Sequence, residues 1–102
     1  MTLDTFKMEA IALLSSPVLL TTCVRILLSE ERNSQLRSIN VRFDDLSLSY
    51  EIMIDMFIQY DDYKVLRRST FEIPEFTTGL SSALVIEMCL DHMDTMVTRP
   101  GK

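Results

Sequence analysis

The sequence predicts an α+β fold in the order α-α-β-β-β-α, with helices covering one face of a three-stranded antiparallel meander. Two observations predict it. Apolar stripes at helical spacing occupy both ends of the chain. Between them, apolar and polar residues alternate along a stretch broken by two aspartate pairs, Asp44-Asp45 and Asp61-Asp62. The 102 residues are expected to form a single domain, 1–102.

The N-terminal stripes predict two helices. The first spans about Leu3 to Ser15, where apolar residues recur at every third or fourth position. Ser16 and Pro17 then predict a helix start, with serine as the N-cap and proline at the first helical position. The second stripe continues to Arg32, so the second helix is expected to extend from Pro17 to that residue.

The clearest pattern is the strict alternation of apolar residues from Leu46 to Tyr60, which predicts one long strand with a buried side and an exposed side. The segment from Arg37 to Phe43 predicts the preceding strand. The segment from Tyr63 to Ile73 predicts the following strand, which Pro74 closes. The alternative is a helix over Ser49 to Arg68, which the alternating β-branched residues disfavour.

The aspartate pairs are expected to be two-residue turns, which set the register of both hairpins. In the first hairpin, Phe43 then pairs with Leu46. In the second, Tyr60 pairs with Tyr63. Both registers place apolar side chains on one shared side, and a slip of one residue would reverse every side chain. Because the fifteen residues of the long strand reach about 50 Å, the Ile54–Ser69 half of the second hairpin is expected to project as an arm.

The C-terminal stripe predicts a third helix from about Thr78 to before Pro100. One of its faces is apolar and the opposite face is acidic, so the apolar face is expected to point inward. The inward residues are predicted to be Ala83, Ile86, Leu90, Met93 and Val97, and the outward residues Glu87, Asp91, Asp94 and Thr98.

The face of the sheet away from the helices is the candidate for a partner contact. In the second hairpin, Phe57 lies opposite Leu66 on that face, and Asp55 lies opposite Arg68 beside them. An apolar group rimmed by charge is a common interface signature. Either this face binds a partner, or a helix of the chain covers it in a three-layer fold. The candidate partner-binding residues are Met53, Asp55, Phe57, Leu66 and Arg68, with Asp61 and Asp62 in the turn.

Arg67 is the candidate for binding a small ligand. The predicted register places it opposite Met56 on the helix-facing side, where an arginine must pair, reach solvent or face a cavity. A pocket for an anion such as a nucleotide would need a second cation. Arg68 is adjacent but points to the other face, so an ordinary edge-strand arginine is favoured and anion binding is the alternative.

The sequence contains no catalytic or cofactor-binding motif. Its two glycines leave no glycine-rich phosphate loop. The aspartate pairs lie at opposite ends of the predicted meander, so they cannot share a metal ion. Cys89 and His92 share a helical face, but zinc needs further ligands. We therefore expect no enzyme activity, cofactor or metal, and we expect Cys23 and Cys89 to be buried free thiols.

The net charge of −5 makes nucleic acid an unfavourable partner and favours a partner with a basic surface. The first residues lack the basic segment of a signal peptide, so a cytoplasmic protein without membrane contact is expected. The leading hypothesis is a non-enzymatic interaction protein, expected to be a homodimer, that blocks a basic site on another protein as an inhibitor, immunity or anti-defence protein does. The alternatives are sequestration of a small anionic ligand and a structural or chaperone-like subunit of an assembly.

Overall fold

The elements of the computed structural model follow the predicted order, and the structure describes residues 9–98. The strands form one antiparallel sheet in the order β1-β2-β3, so the predicted α+β architecture is confirmed. The elements are α1 (Ala10–Leu14), α2 (Pro17–Ile26), α3 (Glu30–Gln35), β1 (Leu36–Asp44), β2 (Ser49–Gln59), β3 (Lys64–Pro74) and α4 (Ser82–Thr98).

The helical start predicted at Ser16 is confirmed. The Ser16 hydroxyl accepts a hydrogen bond from the backbone N–H of Leu19 at 3.3 Å, and Pro17 occupies the first turn of α2. In α1, Leu13 and Leu14 are buried, as the apolar stripe predicts. The part of the first predicted helix that covers residues 3–8 lies outside the described residues.

The predicted length of the second helix is wrong, because α2 ends at Ile26 and the short helix α3 follows. Ser29 explains the break. Its hydroxyl accepts a hydrogen bond from the backbone N–H of Arg32 at 3.2 Å, which caps a new helix. Glu30 and Glu31 occupy the first turn of α3, where negative charge is favourable. The continuous apolar stripe before Ser29 hid this second start signal.

The β2–β3 hairpin has the predicted register. Ile54 lies opposite Ser69, and Phe57 lies opposite Leu66. The turn closes with a hydrogen bond from the Tyr60 N–H to the Tyr63 carbonyl at 2.8 Å. The helical alternative for this segment is therefore wrong. The buried residues of β2 on the helix side are Ile52, Ile54, Met56 and Ile58.

The β1–β2 hairpin differs from the prediction in its loop. Phe43 lies opposite Tyr50 rather than Leu46, because the connection is longer than two residues. The Asp44 carboxylate accepts a hydrogen bond from the Leu46 N–H at 3.0 Å, and Leu48 ends the loop with a φ of 53°. The register differs by an even number of residues, so the faces of β1 and β2 remain as predicted. Leu46 and Leu48 themselves lie in the loop and are exposed.

The predicted projecting arm is wrong. β1 begins at Leu36, which pairs with Met56, so the first strand extends along most of β2. Ile54, Met56 and Ile58 are all buried, and α4 packs against β2. The arm was expected because the long strand was assigned residues 46–48, which belong to the loop.

α4 begins at Ser82 rather than at Thr78. Gly79 adopts a φ of 73° in the loop before it, a conformation that glycine adopts without steric cost. The Ser81 hydroxyl then accepts a hydrogen bond from the Leu84 N–H at 3.2 Å, which caps the helix.

The buried face of α4 is rotated from the predicted one. Ala83 is exposed, and Leu90 and Val97 are only half-buried. The rotation follows from packing on two sides, because α4 contacts both the sheet and α1. The buried residues of α4 are Ser82, Val85, Ile86, Cys89, Met93 and Met96.

α2 packs against β1 and covers part of its backbone edge. The Thr21 hydroxyl donates to the Ile39 carbonyl at 3.3 Å, and the Arg25 guanidinium donates to the Leu36 carbonyl at 3.0 Å. Arg25 also donates to Asn33, which ties α3 to the same edge. Across the described part of the chain, every helix is too short or too polar to span a bilayer.

Replacing Leu48 by glycine is expected to stabilise the protein by about 1 kcal/mol, because a leucine at positive φ carries steric strain that glycine avoids. Calorimetry should record a rise in Tm of about 4–8 °C for a domain of this size. Leu46→Gly is the matched control, since Leu46 is 97% exposed in the same loop and has no positive φ. A lower Tm for Leu48→Gly would show that packing of the Leu48 side chain outweighs the strain.

Candidate functional site

The outer face is the side of the sheet opposite the helices, and contacts of α4 define which side that is. Arg67 donates to the Met96 carbonyl at 3.3 Å, and the Ser69 hydroxyl lies 2.7 Å from Nε2 of His92. Successive side chains of a strand point to opposite faces, so the residues that alternate with Arg67 and Ser69 belong to the outer face. Both of these contacts of α4 therefore lie on the face opposite the outer face. The charged and apolar residues of this face are Arg42, Glu51, Met53, Asp55, Phe57, Lys64, Leu66, Arg68 and Glu72.

The outer patch is the apolar group formed by Met53, Phe57 and Leu66. Leu66 is 42% exposed, and the other two side chains are half-buried among their neighbours. The ammonium group of Lys64 lies 5.9 Å from the centroid of the Phe57 ring, within the range of a weak cation–π contact. The patch therefore presents apolar surface to solvent with a charged group at its edge.

Asp55 and Arg68 form an ion pair in the middle of the outer face. Nε and Nη2 of Arg68 donate to the two carboxylate oxygens of Asp55 at 2.8 and 3.0 Å. The hydrogen bond from Arg68 lowers the pKa of Asp55 against the opposing effect of burial, and the charge of Arg37 contributes in the same direction. Asp55 is buried, whereas the side chain of Arg68 is 64% exposed. The pair thus presents a positioned guanidinium to solvent, with the carboxylate beneath it.

Asp61 and Asp62 are exposed in the β2–β3 turn. Next to them, the ring of Tyr63 stacks on Tyr60 with centroids 5.1 Å apart, and Tyr63 is 57% exposed. The Phe57–Leu66 pair lies three residue pairs along the hairpin from Tyr60 and Tyr63. The structure therefore brings the acidic turn, an exposed aromatic ring and part of the outer patch to one end of the sheet.

Met53 lies farther along the same face. It is opposite Thr70, on the other side of the Asp55–Arg68 pair from Phe57. Phe57 lies four positions farther along the extended strand, a distance of about 13 Å. The predicted partner-binding residues therefore form a line along β2 and β3, with the ion pair inside it.

Arg67 lies on the inner face opposite Met56, as predicted. It is half-buried, and its guanidinium donates to the Met96 carbonyl in the last turns of α4. The helix dipole favours a cation at this end of the helix. This contact gives Arg67 a structural partner. Arg68 points to the other face and cannot join it, and anion binding at Arg67 stays a prediction.

Cys89 and His92 occupy different environments on α4. Both cysteines, Cys23 and Cys89, are free and buried, as predicted. Burial raises the pKa of the Cys89 thiol to about 12, so the thiolate that a nucleophile requires is scarce at neutral pH. Burial also lowers the pKa of His92. Within residues 9–98, no group of three or more His, Cys, Asp and Glu side chains could hold a metal ion.

A groove that the sequence did not reveal lies between β3 and α4. Its volume is about 270 Å³ and it is open to solvent. The sequence places Asp91 on the exposed side of a helix, but it does not say which strand that side adjoins. The lining residues are Phe71, Met88, Asp91, His92 and Thr95.

Comparison with known proteins gives no functional assignment. No protein-family model, curated protein or solved structure matches the chain.

Asp55→Asn is expected to lower the free energy of unfolding at pH 7 by about 1–2 kcal/mol, because it removes the negative charge of a buried side chain that accepts two hydrogen bonds from Arg68. The folded-state pKa of Asp55 is lowered. The ion pair therefore stabilises the fold above the unfolded pKa of about 3.9, and this contribution is lost as the pH falls through the folded pKa. Urea unfolding of both proteins at a series of pH values measures the difference.

The difference in free energy of unfolding between wild type and Asp55→Asn should thus decrease towards zero in acid. Asp45→Asn is the matched control, since Asp45 is an exposed loop aspartate, and its effect should stay within about 0.5 kcal/mol. If the Asp55→Asn difference stays constant down to about pH 2, below the usual pKa of an aspartate, the ion pair does not stabilise the fold through its charge.

Proposed function

We propose that this chain is a non-enzymatic interaction protein that binds another protein through the outer face of its sheet. One observation carries the proposal. The outer patch of Met53, Phe57 and Leu66 is accessible beside the Asp55–Arg68 ion pair, and α4 makes its hydrogen bonds with the opposite face. Apolar and aromatic side chains next to a positioned arginine are a common composition of protein interfaces.

The hydrogen bonds that hold Arg68 support this role. A side chain that is already held in one geometry loses less conformational entropy on binding, which favours affinity. Two hydrogen bonds hold Arg68 on Asp55, and an arginine held in this way is a common anchor in interfaces. The ring of Phe57 lies 5.9 Å from the ammonium group of Lys64.

The acidic turn is the reason to propose a partner with a basic surface. Asp61 and Asp62 are exposed beside Tyr63 at the end of the sheet that carries Phe57 and Leu66. The net charge of −5 attracts a basic surface over a longer range and raises the rate of association. A protein of this kind acts by occupying a basic site on its partner, which is the mode of an inhibitor, immunity or anti-defence protein.

A homodimer or a subunit of a larger assembly would use the same outer face with a different occupant. The oligomeric state in solution separates these alternatives from a foreign partner. Sequestration of an anion has less support, because Arg67 already contacts the Met96 carbonyl and the groove beside α4 carries the Asp91 carboxylate.

Leu66→Asp is expected to abolish association through the outer face without unfolding the protein, because Leu66 is partly exposed and an aspartate there adds charge to the patch. Light scattering after size-exclusion chromatography measures self-association, and circular dichroism checks the fold. Val18→Asp is the matched control, since Val18 is 77% exposed on α2, away from the sheet face. A wild-type dimer that Leu66→Asp converts to folded monomers places the second copy on the outer face.

If the wild type is a monomer, a photo-reactive amino acid at position 66 identifies what binds there, with position 18 as the control. We expect position 66 alone to cross-link one protein with a basic surface. The purified pair should bind more weakly as salt rises, as expected for an acidic turn and a basic partner. Binding should also fall with Leu66→Asp and with Asp61→Asn plus Asp62→Asn. Equal cross-linking from both positions, or binding that ignores these substitutions, would contradict the proposal.

A further inference from the structure

The backbone groups at the two edges of the sheet have different partners. On β1, the outward carbonyls of Leu36 and Ile39 accept hydrogen bonds from the side chains of Arg25 and Thr21. β3 is the other edge strand, and no strand of the described chain lies beyond it. A strand edge that has no neighbouring strand in the described chain is a template for a further strand.

The outward backbone groups of β3 belong to alternate residues. At one end of the hairpin, the Tyr60 N–H donates to the Tyr63 carbonyl at 2.8 Å. At the other end, the Glu75 N–H donates to the Leu48 carbonyl at 2.9 Å. Bonds to one neighbour in an antiparallel ladder use every second residue, so the odd-numbered residues of β3 bond to β2. The outward N–H and C=O groups therefore belong to Leu66, Arg68, Thr70 and Glu72.

The inner face of β3 is also incompletely covered. The β2 residues Ile52 and Ile54 are fully buried, whereas their partners Phe71 and Ser69 on β3 are half-buried. The groove of about 270 Å³ occupies this space between β3 and α4. Alternate side chains of a strand added to β3 would point into this groove.

The groove combines apolar surface with one carboxylate. Phe71 and Met88 provide the apolar surface, and Asp91 and Thr95 lie on the α4 side. His92 is held by the Ser69 hydroxyl and packs against Phe71 with ring centroids 4.9 Å apart. The exposed Asp91 carboxylate is complementary to a lysine or arginine.

The charges on β3 itself restrict the occupant. Lys64, Arg67 and Arg68 lie at one end of the strand, and Glu72 lies at the other end with the groove. They disfavour a basic residue at the Lys64 end of an added strand. An antiparallel pair of two copies would place the basic end of one β3 beside Glu72 of the other, so the oligomeric state must separate a second copy from a peptide.

We propose that the edge of β3 and the groove beside α4 bind an extended peptide segment of a partner protein as a fourth strand. A basic side chain of the peptide pairs with Asp91, and a neighbouring inward side chain is apolar and contacts Phe71 and Met88. The backbone of the peptide bonds to Thr70 and Glu72. This site is separate from the outer face and does not rest on the function proposed for that face.

The test uses an array of seven-residue peptides in which threonine alternates with three varied positions, all of which face the same side of a strand. We expect selection of lysine or arginine at one varied position and an apolar residue at the varied position next to it. The remaining varied position should not select a basic residue. Fluorescence anisotropy with the best peptide measures Kd for the wild-type protein. Asp91→Lys should raise that Kd at least about tenfold.

Thr70→Pro tests the backbone pairing between β3 and the added strand. It removes an outward N–H of β3, while the hydrogen bonds between β3 and β2 keep their own donors. Thr70→Val is the matched control, since it changes the side chain and keeps the N–H. We expect Thr70→Pro to abolish peptide binding and Thr70→Val to retain it, with both proteins folded by circular dichroism.

Three results would overturn the proposal. One is that no peptide binds at concentrations up to about 1 mM, the limit of a weak specific contact. Another is that Thr70→Pro and Thr70→Val bind the selected peptide equally. The last is a wild-type dimer that Thr70→Pro dissociates, which would assign the edge to a second copy. Leu66→Asp acts on the outer face alone, so its effect distinguishes failure of this proposal from failure of the proposed function.

Discussion

Burial of alternate β2 residues against the helices is the constraint on which the other features depend. Ile52, Ile54 and Met56 are fully buried, and each forces its neighbours on β2 to the opposite side of the sheet. The pairing of β2 with β3 transfers the same division to the edge strand, so Arg68 meets Asp55 on one face while Arg67 reaches α4 on the other. Truncation of one such residue to alanine costs about 2–5 kcal/mol in a typical core, a large part of the stability of a small domain.

Two surfaces follow from this single division. The outer face exists because the helices of the described chain pack on one side of the sheet, and it presents Phe57 and Leu66 next to the ion pair. The groove exists because α4 lies over β2 and leaves Phe71 of β3 half-covered. The two proposed contacts thus differ in kind, because one would use side chains of a sheet face and the other the backbone of an edge strand.

Local signals allowed the β2–β3 hairpin to be predicted, because the alternation and a two-residue turn act within a few residues of each other. The Asp55–Arg68 pair followed directly from that register. The loop after Asp44 was not predictable from alternation, since Leu46 and Leu48 continue the apolar pattern although the chain turns there. The groove depends on how α4 lies on the sheet, which is a tertiary property that no short segment determines.

The most direct test of this account is the stability of two variants at adjacent positions of β2, Met56→Asp and Phe57→Asp, measured by urea unfolding. Met56 is fully buried on the helix side, whereas Phe57 lies on the outer face. Met56→Asp buries an unpaired carboxylate, so it should lower the free energy of unfolding by about 4 kcal/mol or more, or prevent folding. Phe57→Asp should leave a cooperatively folded protein. Comparable loss of folding in both variants would show that the outer face is part of a covered core, and it would contradict the account.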